Sequence, residues 1–186
     1  MNSKIIGVTG AFGSGKSTGA AFFEELGFHK IILSKFLEEE AKKRGVGDIT
    51  RKILQDIGNE WRENSGVSVL AQKALQEISK GNFEKVVIDG IRNVGEIARF
   101  RNSGNFTLIA LVSDRKTRFE RLRKLRRREN LTWELFNELD NRDSGVNEKE
   151  TGLQVDKCIA LADITIENNG NEDEFKDKLR KISNKL

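Results

Sequence analysis

Three glycines, a lysine and two hydroxyls packed into one short stretch carry the most specific chemistry in this chain. Gly10, Gly13 and Gly15 lead directly into Lys16, Ser17 and Thr18. The stretch from Gly10 to Ser17 fits G-x-x-x-x-G-K-[ST], a loop that cradles phosphate. Glycines let the backbone adopt positive φ and turn its N–H groups inward as an anion nest. A helix starting at the end of the loop points its positive pole at the same place. Lys16 reaches the β- and γ-phosphates of a bound nucleoside triphosphate, and Ser17 is a ligand for Mg²⁺. The binding set read from the motif is Gly10, Ala11, Phe12, Gly13, Ser14, Gly15, Lys16, Ser17 and Thr18.

Such a loop needs a strand before it and a helix after it. Ile5, Ile6, Val8 and Thr9 supply a short buried strand, and the run Ala20-Ala21-Phe22-Phe23-Glu24-Glu25-Leu26 has helical spacing that stops at Gly27. Further apolar runs at Lys30–Leu33, Lys85–Ile88, Phe106–Val112 and Ile164–Ile166 alternate with amphipathic stretches. Alternation of this kind predicts an α/β fold, a parallel sheet covered by helices on both faces. Residues 34–80 read as a helical insertion between two strands, with Ser34 capping its first helix and Ile53, Leu54, Ile57 and Trp61 lining a second.

With 186 residues and 37% apolar content, the chain is sized for a single domain, residues 1–186, with its own core. No run approaches the roughly 18 apolar residues of a membrane span. The single cysteine, Cys158, excludes an internal disulfide, and the single histidine, His29, excludes a multi-histidine metal site. A cytoplasmic protein is expected, because the phosphate-loop strand begins too early to leave room for a signal peptide. The net charge of +4 is concentrated: residues 115–128 hold nine basic residues and one acidic one, leaving 24 basic and 28 acidic residues elsewhere. A mildly acidic body carries one intensely basic segment, which calls for an anionic partner.

The loop alone does not name the reaction. No Asn-Lys-x-Asp guanine reader is present, and Asp89, which follows the strand ending at Ile88, has Gly90 rather than a second acid beside it. Arg92 follows three residues on. The stretch Val86 to Arg92, with Asp89-Gly90-Ile91-Arg92 at its end, resembles the corresponding segment of adenylate kinases. More broadly the chain resembles the P-loop nucleoside monophosphate kinases, including archaeal and bacterial nucleotide-kinase-like proteins related to dephospho-CoA kinases. The likeness extends over Gly7–Thr18, Ile53–Gly66, Val86–Asn93, Thr117–Leu122 and Ala162–Gly170.

The resemblance implies a three-layer P-loop NTPase fold with a small helical acceptor-side insertion and a basic lid over about residues 115–145. It implies ATP as phosphoryl donor, Mg²⁺, and a small-molecule nucleotide as acceptor, most simply a (deoxy)nucleoside monophosphate. Lys16 and Asp89 become catalytic candidates, with Ser17 and Asp89 holding the metal and Arg92 gripping the acceptor's phosphate. Arg121, Arg126 and Arg142 are the lid arginines placed to stabilise the migrating phosphoryl group. Asn169 and Gly170, in the turn beginning at Asn168, match the loop that cradles the donor adenine.

One departure stands out. Relatives of this group carry S-D-x-x-R-E where this chain reads Ser34-Lys35-Phe36-Leu37-Glu38-Glu39, so the acid and the base are exchanged at Lys35 and Glu38. The Asp-x-Asp of dephospho-CoA kinases is missing from Leu33-Ser34-Lys35, which removes a candidate general base. A phosphate acceptor, already anionic at neutral pH, needs none. Dephospho-CoA kinase chemistry is therefore the alternative, and a nucleic-acid-associated NTP-binding protein is the rival from another class. Against the latter, Phe119 is the sole aromatic in the basic block, too few for base stacking.

Overall fold

The computed structural model describes residues 3–125 and 130–186. Five strands form one sheet: β1 (Lys4–Thr9), β2 (His29–Ile32), β3 (Lys85–Ile91), β4 (Phe106–Val112) and β5 (Ile164–Glu167). Their order across the sheet is β2-β3-β1-β4-β5, and every pairing is parallel. The helices are α1 (Lys16–Glu25), α2 (Leu33–Lys43), α3 (Arg51–Ser65), α4 (Val69–Gly81), α5 (Val94–Arg101), α6 (Arg115–Leu125), α7 (Trp133–Ser144), α8 (Val155–Ala160) and α9 (Glu172–Ser183). None among the described residues is long and apolar enough to cross a membrane.

Side chains alternate across each strand, so the central strands feed two cores. On one face Ile5, Val86, Ile88 and Leu108 pack with Leu54 and Ile57 of α3 and Leu70, Ala74 and Ile78 of α4. On the other, Ile6, Val87, Ile109 and Leu111 pack with Phe22 and Phe23 of α1 and Phe175 and Leu179 of α9. This is the three-layer α/β fold expected from the alternation of elements. Cys158 is wholly buried in the first core, and burial pushes its thiol well above the usual range, so it is small core filler without thiolate reactivity.

The expected entry to the first insertion helix is revised. Leu33 opens α2 instead of closing β2, and the helix is entered from Ile32 with no side-chain cap, so Ser34 lies inside the first turn. Strand passes into helix without a loop because Leu33, 1% exposed, is already committed to the core at that point. The second insertion helix starts at Arg51 behind Thr50, whose side chain accepts from the Ile53 N–H.

All five strands point their C-terminal ends the same way, and in open parallel sheets the ligand crevice lies there. The segments that leave those ends are the phosphate loop after β1, Arg92 and Asn93 after β3, Ser113 after β4 and Asn168 to Gly170 after β5. At the β1–β3 seam the register skips Gly90, because Val8 pairs with Asp89 and Thr9 with Ile91. Gly90 takes φ 94°, and the Thr9 hydroxyl donates to the Ile91 carbonyl at 2.9 Å. That irregularity ends the regular pairing at Asp89.

Candidate active site

The loop from Gly10 to Ser17 wraps the end of β1. Gly10 has φ 145°, and a β-carbon there would sit 2.3 Å from the Leu111 carbonyl oxygen. Gly15, φ 98°, precedes α1 with no side chain capping the helix, and a β-carbon on it would collide with the Asn168 amide nitrogen at 2.4 Å. The backbone therefore approaches its neighbours more closely than any other residue allows. The uncapped first turn of α1 presents its N–H groups to the cleft, the requirement for holding phosphate oxygens. Lys16 is partly buried, but its ammonium is turned inward, donating to the Gly10 and Ala11 carbonyls at 2.7 and 2.8 Å. Burial, then the charges of Arg92 and Arg51, pull it down to about 7 from the ordinary lysine value of 10.5. A lysine so placed is short of negative charge, which is what a polyphosphate supplies.

The cleft over this loop has a volume of about 680 Å³, ample for a nucleotide. Ser17, exposed at the start of α1, and Asp89, 4% exposed at the end of β3, both line it. Among the described residues no three acidic, histidine or cysteine side chains gather into a metal cage. Mg²⁺ arriving with a nucleotide needs only one or two protein ligands beside the phosphates, and a hydroxyl and a carboxylate are hard oxygen donors suited to it. The residues present therefore fit both the nucleotide and the ion.

Arg92 lines the cleft beside Asp89. Its backbone is held on both sides: the Arg92 N–H donates to Glu96 Oε2 at 2.8 Å, and its carbonyl accepts from the Gln154 N–H at 2.8 Å. Glu96 is wholly buried and accepts from Arg62 of α3 at 2.9 Å, so the 34–80 helical insertion and the Arg92 turn are tied by one buried ion pair. The sequence reading did not single out Arg51, yet Arg51 lines the same cleft. It lies 3.8 Å above the Phe12 ring and is ion-paired to Asp143, near the end of α7; Arg92 approaches Asp143 at 3.7 Å. A cation in the first turn of a helix opposes the helix dipole, and Arg51 in that position, with no acid in the turn to offset it, was the available signal. Burial alone would push the Asp143 carboxyl up, but Arg51, Arg92 and Lys16 outweigh it and hold the group well below the usual carboxylate range.

The basic segment divides by direction. Arg118 turns inward, pairing with both oxygens of buried Asp140 and donating to the Phe12 carbonyl at 2.8 Å. Arg121 lines the cleft and donates to the Asn168 and Gly170 carbonyls at 2.8 and 3.0 Å. Gly170 and Asn168 face the cleft, whereas the Asn169 side chain is turned to the β4–α6 junction, its Oδ1 accepting from Ser113 Oγ and the Asp114 N–H. Arg142 is not among the residues the fold brings to the cleft, because it pairs with Asp56 at 2.6 Å and Glu148 at 2.7 Å. Arg126 lies outside the described residues. Lys35 is exposed, while Ile32 and Ser34 line the cleft.

Residues 6–148 match the AAA domain. A UPF0200 protein of Methanothermobacter thermautotrophicus is 34% identical over 100% of this chain and 92% of its own length. A UPF0200/UPF0201 protein of Archaeoglobus fulgidus is also 34% identical over 100% of this chain, which spans only 57% of that longer relative. Among solved structures, a shikimate kinase from Bacteroides thetaiotaomicron superposes with TM-score 0.56 at 17% identity, covering 97% of this chain and 96% of its own. A dephospho-CoA kinase from Campylobacter jejuni gives TM-score 0.52 at 18% identity, covering 100% and 98%. At such identities the structural likeness establishes fold alone. The chain belongs to the UPF0200 family, carrying the AAA domain on the fold of the P-loop kinases.

Proposed function

We propose that this chain is an ATP-dependent phosphotransferase whose acceptor is a nucleotide or nucleotide-like small molecule, most simply a (deoxy)nucleoside monophosphate. The observation that carries the reading is the convergence of Arg51 and Arg92, from two separate elements, on one buried carboxylate, both arginines lining the cleft that Lys16 also lines. Asp89, which lacks a second acid beside it, also fits transfer better than hydrolysis.

In this reading the loop amides and Lys16 hold the β- and γ-phosphates, and the loop after β5 with Arg121 holds the donor base. Ser17 and Asp89 would hold Mg²⁺, which when bound offsets charge on the transferring phosphates. Arg51 and Arg92 grip the acceptor's phosphate with planar guanidinium groups, setting its oxygen in line with the γ-phosphorus. The acceptor oxygen is anionic at neutral pH and needs no base. Residues 34–80 form the acceptor side. Residues 115–145 form the lid that excludes water and adds positive charge, a role extended to Arg126 and, after closure, to Arg142. A cytoplasmic location belongs to the same reading. The inward turn of Arg118 and Arg121 breaks up the basic strip, which weakens the nucleic-acid alternative.

The test is a panel of ribo- and deoxyribonucleoside monophosphates and dephospho-CoA incubated with Mg·ATP, following ADP and phosphorylated product together. Stoichiometric product from at least one monophosphate is expected. ADP release with no product from any acceptor overturns the proposal.

A further inference from the structure

Asp143 sits where helix energetics disfavour it. It lies one residue from the end of α7, where the helix dipole repels negative charge, and it is 1% exposed, so its charge has been taken out of water. Its polar partners come from outside α7. Arg51 and Gln55 belong to α3, and Arg92 follows β3; Gln55 donates to Asp143 Oδ1 at 2.8 Å. Nothing in α7 itself requires a carboxylate there. The cations of the acceptor side do.

We propose that Asp143 is a built-in, exchangeable counter-anion: it holds Arg51 and Arg92 when no acceptor is bound and yields them to the acceptor's phosphate. This rests on the reading of those two arginines as the acceptor's anion site. The geometry favours exchange at Arg92 in particular, since 3.7 Å is an ion pair too long for a hydrogen bond. The arrangement also narrows the substrate class. Asp143 competes from within the chain, at an effective concentration of roughly millimolar or more. A free monocarboxylate would replace it like for like and gain nothing. A phosphate monoester brings about two negative charges and three acceptor oxygens to the guanidinium pair, and so displaces it. The acceptor is then a phosphate monoester and not a compound whose only anion is a carboxylate.

Isothermal titration of the full chain, saturated with ADP to fill the phosphate loop, with orthophosphate and separately with acetate tests this. Asp143→Asn, which keeps the shape and removes the charge, is expected to tighten orthophosphate by roughly tenfold, in line with losing one buried competing charge. Gln55→Leu leaves all charges in place but removes the carboxylate's hydrogen bond, and should shift affinity the same way by a smaller factor. Acetate should not bind the unmodified chain at millimolar concentration. If orthophosphate affinity is unchanged in both variants, or acetate binds as well as orthophosphate, the exchange is wrong. The control is Arg92→Gln: loss of orthophosphate binding there leaves the acceptor-site reading standing whatever Asp143 does, and unaltered binding removes that reading and this inference together.

Discussion

Arg118 of α6 donates from Nη1 to the carbonyl of Phe12, in the phosphate loop, at 2.8 Å, while Nη1 and Nη2 together grip the carboxylate of Asp140 of α7. One buried guanidinium on the basic segment's own helix thus joins the phosphate loop to α7. Among the described residues, Arg118→Ala leaves Asp140, 6% exposed, with Arg115 at 3.2 Å as its ion-pair partner. Breaking a buried pair costs about 3–5 kcal/mol, and the remaining partner places this loss at the low end. Urea unfolding of Arg118→Ala should show a loss of about 3 kcal/mol with an unchanged denaturant slope. A loss under about 1 kcal/mol would mean that the pair is no structural anchor.

Arg121 supports a different outcome because it is only half-buried and faces the cleft. Its hydrogen bonds to the Asn168 and Gly170 carbonyls fix the loop after β5. A charged donor to a neutral acceptor contributes about 1.5–3 kcal/mol when buried, and less here for solvent screening. Arg121→Ala should therefore raise the KM for ATP roughly five- to tenfold with a small effect on stability. Steady-state kinetics at saturating acceptor measure it. An unchanged KM for ATP would detach the β5 loop from donor binding.

Much of the phosphate-loop half of the cleft was legible in the sequence because it is local. Gly10 to Thr18 is contiguous, and a strand before it and a helix after it suffice to shape the loop. Asp89 and Arg92 were legible for the same reason, one strand end carrying both. Arg51, Asp143 and Arg118 were not, since each acquires its partners from an element far along the chain. Arg142 shows the limit most sharply. One residue along a helix turns the side chain by roughly 100°, so Arg142 meets Asp56 and Glu148 while Asp143, its neighbour, meets Arg51 and Arg92. Position in sequence led to a turn of helix in which Asp143, and not Arg142, meets the arginines of the cleft. The start of α2 was missed through the opposite error, a local capping signal at Ser34 overridden by burial of Leu33.

Gly15 offers a prediction in which strain and clash act together. A methyl group there meets the Asn168 amide, which donates to the Ser14 carbonyl at 3.0 Å, and the backbone holds φ 98°. Gly15→Ala pays for left-handed backbone, about 1–2 kcal/mol, and must also push Asn168 away from the loop. A thermal melt should fall by several degrees, roughly 2–4 °C per kcal/mol at this chain length. Nucleotide-induced stabilisation of the melt should vanish, since the amide nest would be deformed. Retention of that stabilisation would show that the loop tolerates the change and that its tightness is not what binds phosphate.

The lowered Lys16 ammonium makes the pH dependence of nucleotide binding a direct readout of the loop. Without ligand, burial and the charges of Arg92 and Arg51 hold it at about 7, against 10.5 for the ordinary side chain. In that window the unfolded chain binds more protons than the folded one, so the Lys16 contribution to folding stability improves as pH rises from about 7 toward 10.5; the penalty is complete below pH 7. Binding has the opposite sign. The negative charge of a polyphosphate favours the protonated form, so above pH 7 association must take up a proton, and affinity should fall by up to about tenfold per pH unit. Calorimetry with ADP between pH 7 and 9, in buffers of different ionisation enthalpy, measures that uptake. Lys16→Met should bind weakly and without the pH slope, which separates Lys16 from the titration of the nucleotide's own phosphates. A flat affinity with no proton uptake in the unmodified chain would mean that Lys16 already carries its full charge in the empty loop, and that Arg51 and Arg92 do not act on it.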